Sequence, residues 1–329
     1  MRVVRVSEFG GPEVLVPAQV PEPVAGPGQV VIDVAVAAID FVQTQLRRGF
    51  TPGPPLPELP YVPGATVAGT VRSVGPDVEQ SWVGRRVVTH TADGLGGNAE
   101  RAVAEESALI PVPDQLGLQV AAALQDDGAT ALGLADRAAI KPGERALVEA
   151  AGGGLGSLLV QLARAAGAHV IGAARGERKA ELVRSLGAEL VVDYSVPGWT
   201  DQVLAATGGR GVDLVFDGVG GALGEEAFET AARGGRFSIH GAASGSASQI
   251  DAARAQQRGV EVIGVDQLFA LQSGWRERVE RALALAARGE LVPTIGQTFP
   301  LERAADAHAA METRSVTGKT LLTVQSQRR

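Results

Sequence analysis

The sequence predicts an α/β protein in two parts: a β-rich domain made from both chain ends, and an inserted domain built on a doubly wound parallel sheet. Three observations carry this prediction. The hydrophobic period changes near residue 140, from short β-branched runs broken by Pro and Gly to apolar runs alternating with helical patterns of about 10 to 15 residues. A glycine-rich turn stands at the first strand-to-helix passage of that second regime. The last ~60 residues hold too few strands to fold alone and are expected to rejoin the first part. These readings place the β-rich domain at 1–122 and 268–329 and the inserted domain at 123–267 of the 329 residues.

In the first part the strand candidates are Val3–Val6, Val30–Val36, Thr66–Val74, Arg85–Thr89 and Ala99–Val103, irregularly spaced as in a small barrel-like fold. Six prolines between Gly49 and Pro63 mark a stiff loop. In the second part six strand candidates follow in turn: Ala146–Glu149, Val170–Ala174, Leu190–Asp193, Leu214–Phe216, Arg236–Ile239 and Val260–Val265. Helices are expected near 156–166, 177–186, 200–206, 222–232 and 248–258, with Gly167 and Gly187 placed as left-handed caps behind the first two. A helix over Trp275–Ala287, a strand Thr294–Phe299, a helix Leu301–Met311 and a strand near Lys319–Val324 complete the chain.

Composition removes several chemistries. There is no cysteine, hence no disulfide, thiolate nucleophile or cysteine-ligated metal. The four histidines are far apart and form no metal-binding spacing, so no metal is expected. The net charge of −7 comes without a basic patch, which argues against nucleic acid. The amino terminus reaches Glu8 before any apolar run of signal-peptide length, and no stretch of about 18 apolar residues follows. A soluble cytoplasmic protein with a small-molecule partner, and no membrane partner, is the expectation.

The strongest local signal is Leu147–Gly167, where a β-run passes through Ala150-Ala151-Gly152-Gly153-Gly154-Leu155-Gly156 into an amphipathic helix. Side chains there would keep the backbone from a pyrophosphate, and the helix must pack closely on its strand, so Gly153, Gly154, Leu155 and Gly156 are expected to cradle a dinucleotide. The next strand ends in Arg175-Gly176, followed by Glu177-Arg178-Lys179, with Glu181 nearby. Cations there suit a 2′-phosphate, which favours NADPH; the alternative is that Arg175 and Lys179 are solvated charges at a helix start.

These residues, with Pro60-Tyr61-Val62-Pro63-Gly64, Val83-Gly84-Arg85-Arg86-Val87, Gly208-Gly209-Arg210-Gly211-Val212-Asp213, Asp217-Gly218-Val219-Gly220-Gly221 and Thr317-Gly318-Lys319, resemble medium-chain dehydrogenases/reductases of the zinc-independent quinone oxidoreductase group, nearly end to end. The resemblance implies a GroES-like catalytic domain and a Rossmann nucleotide-binding domain. It places Lys179 and Tyr194 at the 2′-phosphate. It places Thr130, Val219, the loop His240-Gly241-Ala242 and Lys319 near the cofactor, and it implies a homodimer through Val260–Val265. Zinc-dependent relatives carry Gly-His-Glu after the Pro-Gly turn, whereas this chain has Gly64-Ala65-Thr66. Asp40 stands where relatives usually carry Asn. Phe50 stands where similar enoyl reductases place a proton-donating tyrosine.

The expected reaction is hydride transfer from NADPH to a quinone or an α,β-unsaturated carbonyl compound. The few aromatics, 4%, favour a smaller enone over a large polycyclic quinone. Candidate polar groups are Asp40, which is either a proton carrier or a hydrogen-bonded core carboxylate, His240 at the end of the fifth inserted strand, and His90 after Arg85–Thr89. His169 and His308 read as structural, Glu149 as a loop anchor, and Asp126-Asp127 as a turn. An enoyl or tailoring reductase of a polyketide-like pathway is the competing enzymatic reading, and a non-catalytic NADPH-binding protein the competing class.

Overall fold

The computed structural model describes residues 1–51 and 55–324, so part of the proline-rich loop, residues 52–54, lies outside the described residues. Two compact units emerge: Met1–Asp126 with Val279–Arg329, and Asp127–Arg278. The segment 268–278, expected to return to the first part, belongs with the second.

The first unit opens with an antiparallel pair, β1 (Arg2–Arg5) and β2 (Val16–Gln19). Then come β3 (Gln29–Ile39), α1 (Phe41–Arg47), β4 (Thr66–Val74), β5 (Arg86–His90), β6 (Arg101–Glu105), β7 (Ile110–Pro111) and α2 (Leu118–Gln125). β3 is long and β-branched, and it pairs with β4 throughout, with register shifts at Val31/Ile32 and Val34/Val36 that let it bend. Gly69 in β4 is required by that closeness: a Cβ there would stand 2.1 Å from the Asp33 carbonyl oxygen.

The second unit begins with α3 (Asp127–Ala138) and alternates strand and helix: β8 (Arg145–Glu149), α4 (Gly154–Ala165), β9 (His169–Ala173), α5 (Glu177–Ser185), β10 (Leu190–Val192), α6 (Trp199–Ala206), β11 (Val212–Asp217), α7 (Gly221–Glu229), β12 (Ala231–Ile239), α8 (Ala252–Arg258) and β13 (Glu261–Ile263). All six strands are parallel in the order β10-β9-β8-β11-β12-β13. The order reverses between β8 and β11, so the crevice for a ligand falls at the carboxyl ends of those strands. Leu147, Ile171, Val215 and Phe237 fill the core beside Trp199, with Phe228 edge-on to Phe237 at 5.5 Å between centroids.

Helices α9 (Gln267–Ala270) and α10 (Trp275–Ala287) precede the last pieces of the first unit, β14 (Ile295–Pro300), α11 (Ala304–Glu312) and β15 (Lys319–Thr323). β15 pairs with the second half of β3 and β6 with its first half, so one bent sheet runs β14-β15-β3-β4-β5-β7 with β6 beside it. Its core gathers Val30, Ile32, Val67, Val71, Val87 and Leu322. His308 is buried in α11, where burial and the charge of Arg47 push its pKa down to about 3. His169 is exposed and contacts Glu189 at 2.7 Å.

Six elements were not legible in the sequence: β2, α1, β7, α2, α3 and α9. The α2–α3 run is rich in small residues and holds Gly128 and Gly133, so its helical period is weak. α8 starts at Ala252 and not at 248, because the Asp251 side chain caps it by accepting the Arg254 N–H at 2.7 Å. Among the described residues no helix is long and apolar enough to cross a membrane.

Candidate active site

In the second unit the site is built from backbone. β8 ends at Glu149, and Ala150 takes a left-handed conformation, φ 48°, that turns the chain. The Gly153 N–H donates to the Ala150 carbonyl at 2.8 Å, and α4 begins with Gly153 as N-cap and no side-chain cap. The first-turn N–H groups of Gly154, Leu155 and Gly156 therefore lie at a helix start that no side chain satisfies, the arrangement that binds anions. Gly156 has no alternative: a Cβ would lie 2.3 Å from the Ala150 oxygen. Lys179 on α5 lies against this turn, since a Cβ on Gly152 would meet the Lys179 Cβ at 2.8 Å.

The neighbouring strand ends complete the arrangement. Asp193, after β10, accepts the Gly176 N–H at 2.9 Å and so orders the turn that carries Arg175. Burial would raise the Asp193 pKa, but hydrogen bonds from Ser195 and Gly176, with the Arg175 charge, hold it below the ordinary range. Tyr194 is buried beside it. Thr130 stands half-buried in the first turn of α3.

Asp217, at the end of β11, organises two loops. Its carboxylate accepts the Val219 and Gly220 N–H groups at 3.1 and 2.8 Å and the Ser248 hydroxyl at 2.5 Å. The Ser244 N–H reaches the Val219 carbonyl at 2.8 Å, which ties Val219 to the loop carrying His240, Gly241 and Ala242. His240 is buried against Phe216, and burial lowers its pKa, so the ring is neutral at pH 7 and is no store of protons. Glu149 is fully buried, and burial together with the Asp217 charge raises its pKa well above the ordinary range.

The first unit gathers side chains instead. Cross-strand register brings Thr320 opposite Ile39, Ala38 opposite Thr66 and Thr66 opposite His90, so Lys319, Asp40, Thr66 and His90 lie at one end of four neighbouring strands. Asp40 occupies the N-cap of α1 without capping it; it is ion-paired with Lys319, whose side chain is 5% exposed. His90 Nε2 is 2.7 Å from Asp126 Oδ1, and the Thr66 hydroxyl donates to Asp126 Oδ2. Thus Asp40, His90 and Lys319 come together as one cluster in this unit. Sequence reading missed Thr66 and Asp126. Asp126 does sit in a turn, between α2 and α3, but its side chain is engaged with residues far away in the chain.

Two family models match: the alcohol dehydrogenase GroES-like domain over residues 26–114 and the zinc-binding dehydrogenase over 154–289. A quinone oxidoreductase of Sus scrofa is 34% identical, the alignment covering 98% of this chain and 97% of the relative. A 2-haloacrylate reductase of Burkholderia sp is also 34% identical, over 98% of both chains. The crystal structure of Escherichia coli quinone oxidoreductase complexed with NADPH superposes with a TM-score of 0.89 at 28% identity, covering 98% of this chain and 100% of that one. Fold and site together define a two-domain oxidoreductase. The chain belongs to the medium-chain dehydrogenase/reductase superfamily, in its quinone oxidoreductase-like group. The zinc named by one family model does not fit: the chain has no cysteine, and among the described residues no three His, Asp or Glu converge as a metal group.

Proposed function

We propose that this enzyme binds NADPH on the α4 cradle and reduces an electron-poor conjugated carbonyl compound, a quinone or an enone, without a metal. The observation that carries the reading is the uncapped glycine turn at the switch point of the sheet, with Lys179 lying against it. The residues present fit the cofactor. The α4 N–H groups would take the pyrophosphate, Lys179 and Arg175 with Tyr194 the 2′-phosphate, and the loops held by Asp217 the nicotinamide side. NADPH, when bound, supplies a hydride. The protein's part is to orient that ring, to exclude water and to leave the acceptor one reactive geometry.

The relative named 2-haloacrylate reductase supports an activated carbon–carbon double bond as the acceptor class. A homodimer is part of the proposal: β13 is an edge strand, and Val262, Val265 and Phe269 around it are exposed. Steady-state NADPH oxidation with a simple quinone, a small enone and an enoyl thioester tests the activity. Turnover of the quinone or the enone is expected. Turnover of the thioester alone would transfer the assignment to an enoyl reductase, and silence across the panel would refute catalysis. Light scattering that returns a monomer would remove the dimer.

A further inference from the structure

Three neighbouring strand ends of the second unit are stitched edge to edge. The Ala151 N–H, in the glycine turn, donates to the Ala173 carbonyl at 3.1 Å, and the Ala174 N–H donates to the Val192 carbonyl at 3.0 Å. The outermost stitch is made by a side chain: beyond the last β9–β10 pair, Ala173 with Val192, the Gly176 N–H donates to Asp193 Oδ2 at 2.9 Å. Gly176 has φ 77° and ψ 155°, a conformation that only glycine adopts readily, and a Cβ there would meet nothing within 4 Å. The turn, not crowding, requires this glycine. Its carbonyl accepts the Ala180 N–H at 3.1 Å and opens α5, so the residue held by Asp193 sets both its neighbour Arg175 and the start of the helix that carries Lys179.

We propose that Asp193 is a positioning residue for cofactor choice: by holding the Gly176 turn it aims the cations of this sheet edge at a 2′-phosphate, and so favours NADPH over NADH although it is itself an anion. The proposal rests on the NADPH reading above, and every residue it uses lies in the second unit.

Two effects of Asp193 oppose each other. Its charge repels a phosphate, but across a partly exposed edge where water and salt screen the repulsion. Much of that charge is also taken up locally. Oδ1 accepts the Ser195 N–H at 2.8 Å and the Ser195 hydroxyl at 2.5 Å, Oδ2 accepts the Gly176 N–H, and the Arg175 charge acts on the same carboxylate. These groups keep Asp193 ionised at pH 7, so its hydrogen bonds are charge-assisted and roughly twice as strong as neutral ones. Without Asp193 the Gly176 N–H loses its partner, and a glycine, the residue with most conformational freedom, is left to order Arg175 and the entry to α5. Positioning therefore exceeds the residual repulsion. Tyr194, next in the chain and buried, is fixed from the same corner.

Asp193→Ala and Asp193→Asn, made in the full chain, test this by calorimetric titration with NADPH and with NADH. In both variants the ratio of NADPH to NADH affinity should fall roughly fivefold or more, with NADH affinity within about twofold of the wild type. Asp193→Asn removes the charge and keeps the size, but it leaves a single acceptor oxygen for three donors, so its ratio falls too. A structural defect alone would weaken both nucleotides alike and leave the ratio in place. In hydrogen exchange without nucleotide, the Gly176 amide should exchange about tenfold faster in Asp193→Ala. A ratio that stays at the wild-type value or rises in either variant overturns the proposal, and so does unchanged exchange at Gly176; both results leave the NADPH reading standing. A wild type that binds neither nucleotide, or both equally, overturns the NADPH reading and this proposal with it.

Discussion

The two units prepare their strand ends in opposite ways. In the second, the polypeptide backbone does the work: a glycine turn, an uncapped helix start, and loops held by N–H groups that converge on Asp217. In the first, the end of the sheet carries paired side chains, Asp40 with Lys319 and His90 with Asp126. Two carboxyls sharpen the contrast. Asp126 is surrounded by donors and a cation, so it stays ionised. Glu149 lies fully buried beside another acid, so it holds its proton. One kind of group is set to two charge states by its neighbours.

The largest expected effect comes from breaking the backbone side of this contrast. Gly156→Ala forces a Cβ to within 2.3 Å of the Ala150 oxygen, a contact no side-chain rotation can relieve. NADPH affinity should fall by about 100-fold, equivalent to ~2.7 kcal/mol, in a fluorescence titration, with the far-UV circular dichroism retained. Unchanged affinity would show that the turn is not the phosphate site.

A smaller effect belongs to Glu149. Its folded pKa is raised, so the native state binds a proton that the unfolded chain gives up near the ordinary value. This contribution to stability is complete below the unfolded pKa and is lost as pH rises toward the folded one. Glu149→Gln keeps the shape without the charge. Its melting temperature should exceed that of the wild type by roughly 1–3 °C at pH 8.5 and match it at pH 5. A variant that melts lower at pH 8.5 would mean that Glu149 is ionised in the fold.

The contrast also explains what could be read in advance. A site made of backbone needs particular residues in consecutive positions, so Gly152–Gly156 and the strand–helix alternation around them disclose the cradle and the parallel sheet. The first unit's cluster leaves no such mark. Thr66, His90 and Asp126 are brought together by antiparallel register and by the return of α2, and nothing local to Asp126 in the chain indicates a histidine partner. Lys319 and Asp40, 279 residues apart, were each singled out, but their pairing becomes visible only when β15 lies beside β3. The short helix α1 escaped because Phe41, Val42 and Thr44 favour strand as readily as helix.

The most direct test is calorimetric titration of the wild-type chain, and of Lys179→Glu, with NADPH and with NADH. One NADPH per chain is predicted, bound roughly tenfold or more tighter than NADH, with that preference abolished by the charge reversal. No heat with either nucleotide, or a preference for NADPH that survives in Lys179→Glu, would contradict the account.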